Sequence, residues 1–161
     1  MIIVSDTSPI NYLVLIDEIE LLHTLYDQIL LPPAVHVALQ HPNTPSSVVD
    51  WAQHLPYWVK VKAPQQLVFA AHLNPGESQA IALAIEENAI LLLIDEQRGR
   101  AFARQQGLTV TGTLGVLEDG AQRGLVDLPI ALQRLQKTSF QVSDSLLQAI
   151  LHRNARASET E

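Results

Sequence analysis

Residues 73–104 read LNPGESQAIALAIEENAILLLIDEQRGRAFAR, and this stretch decides the fold of the 161-residue chain. Pro75 and Gly76 open a segment whose apolar residues recur at helical spacing, which predicts a helix. The continuous apolar run 89–94 is typical of a parallel strand that is buried on both faces. The residues after it predict a second helix. A helix, a buried strand and a helix in this order indicate an α/β domain.

Short apolar runs elsewhere predict the other strands of the sheet. Residues 1–5, 29–31 and 108–112 form three of them, and WVKVK at 58–62 alternates apolar with basic residues, which is typical of an edge strand. Helical patterns lie between the runs; we expect Ser46 or Ser47 to cap one of those helices. Strands that alternate with helices predict a mainly parallel sheet with helices on both faces.

The domain organisation predicted from the sequence is simple. Residues 1–152 read as a single domain that ends in two helices between 128 and 152, because no linker, repeat or low-complexity tract divides it. The remaining residues, 153–161, are polar, and we expect them to form a frayed tail.

Composition limits the classes of function. A net charge of −7 argues against a broad basic surface for nucleic acid, although a metal-binding carboxylate cluster is compatible with it. The chain has no cysteine, which excludes disulfides and thiolate metal sites. It has no signal peptide pattern and no apolar run of membrane-spanning length, so we expect a cytoplasmic protein without membrane contact. Only 17% of residues are charged, which favours an apolar surface buried against a partner.

Three carboxylates lie where such a fold places its active site. Asp6 and Asp95 each follow a buried strand, and Glu77 lies in the first turn of the helix before the second strand. Ligands of open α/β sheets bind outside the carboxyl ends of the strands. Oxygen ligands without cysteine or a histidine set favour a hard cation, Mg²⁺ or Mn²⁺, which can activate water against a phosphodiester.

Each carboxylate also has a purely structural interpretation. Asp6 is in position to cap the following helix, and Asp95 could cap the helix that starts at Glu96. Glu77 would be stabilised by the helix dipole without any catalytic role. Taken singly, these interpretations are the stronger ones, because caps are common in α/β domains.

Five segments resemble one known family. SDTSPINYL, LLPPAVHVAL, LNPGESQAIALA, LLLIDEQRGR and GLTVTGTLGVL, in this order within residues 1–127, are similar to the PIN-domain superfamily and to its DUF3368 branch. The resemblance implies a three-layer α/β/α fold and a metal-dependent ribonuclease site. It also implies kinship with the toxins of VapBC-type toxin–antitoxin pairs, hence RNA as substrate, an antitoxin protein as partner and a homodimer.

The family's acidic residues correspond to Asp6, Glu77 and Asp95, which the resemblance makes the metal-binding and catalytic residues. Ser8 corresponds to a small polar residue beside the first acid, and we expect it to support Asp6. One position departs from the pattern, because Ala38 stands where the family often has a glutamate. An alanine cannot bind a metal, and this weakens the prediction of an enzyme.

His36 lies two positions before Ala38 and projects elsewhere on a helix, so we predict a surface residue rather than a replacement ligand. Glu96, beside Asp95, fits a helix-start charge better than a ligand. Arg98 and Arg100 follow Asp95 on a helix and are the predicted contacts for the RNA backbone. Their alternative role is to offset the acidic surface.

The leading hypothesis is therefore a Mg²⁺- or Mn²⁺-dependent endoribonuclease that uses Asp6, Glu77 and Asp95, and that is the toxin of a toxin–antitoxin pair. The second hypothesis is a PIN-fold protein that binds RNA or protein without cutting, because of Ala38. A third is a structural subunit of a larger assembly, which the low charged fraction favours.

Overall fold

The computed structural model describes residues 1–68, 70 and 72–159. The strands are β1 (Ile3–Ser5), β2 (Ile29–Leu31), β3 (Val59–Val61), β4 (Leu91–Leu93) and β5 (Val110–Thr111). The helices are α1 (Thr7–Leu15), α2 (Glu20–Tyr26), α3 (Pro33–Ala38), α4 (Ser46–Gln53), α5 (Pro75–Glu86), α6 (Gln97–Gln105), α7 (Thr113–Gln122), α8 (Leu128–Gln136) and α9 (Asp144–Glu159). None of the helices within the described ranges has the length and hydropathy that a membrane span requires.

The five strands form one parallel sheet in the order β3-β2-β1-β4-β5. The predicted parallel sheet is thereby confirmed, and β3 lies at its edge as predicted. The chain moves outward from β1 through β2 to β3 and then crosses to β4 on the other side of β1. The strand order therefore reverses between β1 and β4, which is the point where open α/β sheets bind ligands.

Side chains of the central strands alternate between two apolar layers, because successive residues of a strand point to opposite faces. Ile3 and Leu93 belong to the larger cluster, which also takes in α1, α2, α4 and the C-terminal helices. Val4, Leu92 and Ile94 belong to the smaller cluster with α5 and α6. Helices thus cover both faces of the sheet, and the fold is the predicted three-layer α/β/α arrangement.

Some boundaries differ from the sequence predictions. Pro45, rather than Ser46 or Ser47, occupies the cap position of α4, and neither serine makes a capping hydrogen bond there. The predicted frayed tail is helical through residue 159, and Arg153 in that segment forms an ion pair with Glu118 at 2.7 Å. Residues 160 and 161 lie outside the described ranges. At the start of α9, the Ser143 Oγ accepts the Leu146 N–H at 3.2 Å and so caps this helix.

Candidate functional site

Two of the three acids are brought together by strand pairing. Ser5 of β1 pairs with Leu93 of β4, and the Asp6 N–H donates to the Leu93 carbonyl at 2.8 Å. Asp95 lies two residues beyond Leu93, just past the end of β4. Both carboxylates therefore emerge at the carboxyl edge of neighbouring strands, at the point where the strand order reverses.

A cavity of about 660 Å³ opens at this edge, and all three predicted acids line it. Glu77 enters from the N-terminus of α5, and Glu96 is a fourth carboxylate on the lining. The other lining residues are uncharged: Thr7, Ser8, Asn11, Tyr12, Asn74, Gln97, Ser139, Phe140 and Gln141. Among the described residues that line the cavity there is no Lys, Arg or His, so its electrostatic character is acidic.

Asp6 is a buried carboxylate whose pKa is shifted. Only 6% of the residue is exposed, and burial is the main reason why its pKa rises from an ordinary 3.8 to about 7. The nearby charges of Glu77 and Asp95 raise the pKa further, while the Thr7 backbone N–H acts in the opposite direction. Asp6 occupies the cap position of α1, as expected, but its side chain does not make the capping hydrogen bond.

Glu77 has a structural role on one of its oxygens. Its Oε1 accepts the Asn74 N–H at 3.0 Å, and Asn74 Oδ1 accepts the Glu77 N–H at 2.8 Å, which completes a capping box at the start of α5. The residue is 4% exposed. The capping box fixes the orientation of a buried carboxylate whose other oxygen stays outside the box.

Asp95 is held by three hydrogen bonds. Its Oδ1 accepts the Thr113 N–H at 2.7 Å, and its Oδ2 accepts both the Thr113 hydroxyl at 2.7 Å and the Ser8 hydroxyl at 2.8 Å. Asp95 thus caps α7, whereas Glu96 caps α6 by accepting the Arg98 N–H at 3.4 Å. The expected partner of Ser8 was Asp6, and that prediction is wrong because the hydroxyl donates to Asp95, which follows the neighbouring strand β4.

Each acid also lies against one glycine. A Cβ built on Gly76 would lie 3.3 Å from Asp6 Oδ1, and one on Gly99 would lie 2.9 Å from Glu77 Oε2. The tightest approach is at Gly112, where a Cβ would lie 2.4 Å from Asp95 Oδ1. Real Cβ atoms do not tolerate the last two distances, so these carboxylates rest directly on the backbone of α6 and of the residue before α7.

The two predicted RNA-contacting arginines occupy different places. Arg98 is exposed and lines a separate cavity with His72 and Phe102. Arg100 is half-buried near Asp95 and Gly112, where burial lowers its pKa and Arg104 lowers it further, while Asp95 acts in the opposite direction. Neither arginine lines the acidic cavity. Both remain candidates for phosphates that lie beyond the cavity.

Ala38 and His36 do not complete the site. Ala38 is the last residue of α3 and does not line the acidic cavity. His36 Nε2 lies 2.8 Å from the Ala52 carbonyl oxygen, so this ring is tied to α4. The ring is half-buried and links α3 to α4, a contact that the sequence analysis did not predict.

The residues present suit a hard divalent cation by their chemistry. No ion pair joins a Lys, Arg or His to Asp6, Glu77 or Asp95 within residues 1–68, 70 and 72–159. In the same ranges, no three His, Cys, Asp or Glu side chains are close enough to surround an ion. Mg²⁺ usually takes only one or two protein carboxylates and keeps waters and substrate oxygens as its other ligands. This loose acidic set is compatible with such binding.

Thr113 is a site residue that the sequence analysis missed. It is fully buried and gives Asp95 two hydrogen bonds, but nothing in GTLG distinguishes it from an ordinary helix start. We expect Thr113→Val to lower the free energy of unfolding by about 1.5–3 kcal/mol, because a hydrogen bond to a charged group is lost without a change of shape. Urea unfolding measures this. Thr109→Val, at an exposed position, is the control, and equal losses in both variants would contradict the prediction.

Comparison with known proteins gives two findings. The family model DUF3368, described as PIN domain, matches residues 2–156, which extends past residue 127, where the sequence resemblance ended. Among solved structures, a PilT N-terminus domain protein, SSO1118, from the hyperthermophilic archaeon Sulfolobus solfataricus P2 is similar in fold, with a TM-score of 0.55 and 20% identity. That similarity covers 74% of this chain and 92% of the other. No curated protein matches the chain.

Proposed function

Because this chain belongs to the DUF3368 family of PIN domains, we propose that it is a metal-dependent endoribonuclease. PIN domains are typically nucleases and generally use divalent metals such as Mg²⁺. The observation that carries the proposal is the convergence of Asp6, Glu77 and Asp95 on one cavity at the reversal point of the sheet. RNA as the substrate and Mg²⁺ or Mn²⁺ as the ion are the specific parts of the proposal.

In the proposed reaction, the residues of the chain hold the ion and orient the carboxylates around it. One or two of Asp6, Glu77 and Asp95 would bind the ion directly and the rest through its waters; the ion, when bound, polarises the phosphodiester and acidifies the attacking water. Thr113 and Ser8 keep the Asp95 carboxylate in one orientation through their hydroxyl groups. No serine, cysteine or histidine is needed as a nucleophile, so hydrolysis proceeds without a covalent enzyme intermediate.

The biological role that we propose is that of the toxin in a toxin–antitoxin pair, acting as a homodimer with an antitoxin protein as its partner. Kinship of PIN domains with VapC-type toxins supports this role. Expression of the chain alone should slow growth, and co-expression of a small protein encoded by a neighbouring gene should restore it. Normal growth in both cases would argue for a nuclease with another role.

A second candidate function is RNA or protein binding without cleavage. It is favoured by Ala38 and by the lack of a three-residue ligand cluster within the described residues. In this alternative the acids retain their structural roles, such as the capping box of Glu77 and the Asp95 cap of α7.

Titration of Mn²⁺ followed by calorimetry, together with cleavage of labelled single-stranded RNA, separates the two candidates. The nuclease proposal predicts saturable Mn²⁺ binding, and cleavage that stops when a chelator is added. An absence of both would favour the binding protein. Cleavage that continues in the chelator would contradict the metal-dependent mechanism itself.

A further inference from the structure

One wall of the acidic cavity is aromatic. The Tyr12 and Phe140 rings meet edge to face, with centroids 5.0 Å apart and planes at 83°. Both rings pack against the larger apolar cluster, and the Tyr12 hydroxyl hydrogen-bonds the Ser139 hydroxyl at 2.9 Å. The connection between α8 and α9 is thereby held against α1. Its residues Ser139, Phe140 and Gln141 line the cavity.

This wall lies at a fixed distance from the acids. Ser8 and Tyr12 are four residues apart on α1, so they share one face of the helix about one turn, or roughly 6 Å, apart. Ser8 hydrogen-bonds Asp95, while Tyr12 contacts Phe140. A phosphate near the acids would thus place the base of the same nucleotide, or of its neighbour, beside the aromatic rings.

The surroundings of the wall are polar but uncharged. Asn11, Gln97 and Gln141 line the cavity with side-chain amides, which can both donate to and accept from the edge of a base. Among the residues that the structure describes, the charged side chains of the lining are all carboxylates, so none of these side chains attracts a phosphate. A neutral, flat ligand with hydrogen-bonding edges matches this part of the cavity better than an anion does.

We propose that Tyr12 and Phe140 form a nucleobase-binding subsite, in which one unpaired base stacks on the aromatic wall and the adjoining phosphate is directed to the acids. The proposal rests on the nuclease function given above and assigns the residues that position its substrate. Asn11, Gln97 and Gln141 then contribute to the preference for one base over another. A base in a duplex is already stacked and paired, so the subsite selects single-stranded RNA.

The test measures binding without turnover. In an Asp6→Asn background, fluorescence anisotropy gives the affinity for a short labelled RNA and for the same RNA with abasic sites. Phe140→Leu, which keeps an apolar contact with the core, should bind the intact RNA about tenfold more weakly, because stacking on an aromatic side chain contributes strongly to the affinity for each base. The abasic RNA should bind both proteins equally. Tyr57→Leu, at an exposed aromatic position outside the cavity, is the matched control.

Either of two results would overturn the proposal: equal affinity of Phe140→Leu for the intact RNA, or the same loss with abasic RNA. Gln141→Ala, at an exposed position, supports the proposal through a changed order of affinity for the four homopolymeric oligonucleotides and counts against it if the order is unchanged. Base-dependent binding by a protein that never cleaves would refute the nuclease but keep the subsite. Metal-dependent cleavage without any effect of Phe140→Leu on RNA binding would refute the subsite but keep the nuclease.

Discussion

Asp6→Asn is expected to lower the rate of metal-dependent RNA cleavage by more than about 100-fold, and at the same time to stabilise the metal-free protein. The loss of activity follows from the proposed role. Mutation of a residue that only hydrogen-bonds a metal ligand typically lowers metal affinity or activity 10–100-fold, and Asp6 would be a ligand itself. The gain in stability follows from the observed burial. Asp6 is only 6% exposed and lies near two other carboxylates, so its negative charge destabilises the folded state. An asparagine amide has the same shape and removes that charge.

The stability effect has a defined pH dependence. The pKa of Asp6 is raised on folding, from 3.8 to about 7, so the folded protein binds more protons than the unfolded chain between these values. The metal-free wild type therefore loses stability as the pH rises from about 4 to 7. At about 1.4 kcal/mol per pKa unit the loss approaches roughly 4 kcal/mol as an upper limit. Asp6→Asn lacks this group, so its advantage is small at pH 4 and greatest above pH 7.

Urea unfolding in a chelator at pH 4, 6 and 8 measures the stability difference, and the RNA cleavage assay measures the activity. Asp50→Asn, the same substitution at an exposed position of α4, is the matched control and should change neither quantity. Added Mn²⁺ should raise the stability of the wild type above that of Asp6→Asn at pH 8. A variant that still cleaves, or one that is less stable than the wild type at pH 8 in the chelator, contradicts the assigned role of Asp6.

Gly112→Ala is expected to reduce cleavage by about 100-fold and the free energy of unfolding by about 1–3 kcal/mol. Its added Cβ would lie 2.4 Å from Asp95 Oδ1, 2.9 Å from Arg100 Nη1 and 3.3 Å from the Ile94 carbonyl oxygen. Asp95 cannot move aside without breaking its hydrogen bonds to Thr113. A displacement of about 1 Å in a catalytic group is enough for such a loss of rate.

Alanine substitutions at two further glycines, where the added Cβ would lie farther from an acid, can be compared with Gly112→Ala. Gly99→Ala would bring a Cβ 2.9 Å from Glu77 Oε2 and 2.7 Å from Ile94 Cδ1, and should be harmful although alanine normally favours a helix. Gly76→Ala, at 3.3 Å from Asp6 Oδ1, needs only a small shift and should be the mildest. Kinetic assays and urea unfolding of the three variants measure the order. Equal activity of Gly112→Ala and Gly76→Ala would show that backbone contact does not position the acids.

The sheet and the placement of the acids were predictable because local patterns determine them. A continuous apolar run identifies a buried parallel strand, and parallel strands must all end at the same edge. Asp6 and Asp95 follow such strands, so their position at one edge of the sheet was predictable, whereas the pairing of β1 with β4 that makes them neighbours was not. The position of Glu77 made it a candidate, but only the resemblance distinguished it from the first-turn glutamates that are common at ordinary helix starts.

The remaining features depend on contacts between distant parts of the chain. Ser8 reaches Asp95 across 87 positions, and Tyr12 reaches Ser139 across 127. Local spacing cannot choose between Asp6 and Asp95 as the partner of Ser8, since both acids lie on the same cavity. Phe140 lies in a connection without periodicity, so no pattern marked it as part of a wall. Residues 153–159 continue α9, and Arg153 there pairs with Glu118 of α7, a contact between distant positions that a polar composition does not reveal.

The contact of each carboxylate with a glycine has a consequence for redesign. A Cβ built on Gly76, Gly99 or Gly112 would lie within 3.3 Å of Asp6, Glu77 or Asp95, respectively, so the close approach of the backbone helps to set the positions of these carboxylates. Transplanting the three acids to another parallel α/β scaffold would therefore fail unless the donor loops came with them. Conversely, a redesign for a different ion has to reshape those loops, because exchanging a ligand residue alone leaves the backbone around the carboxylates unchanged.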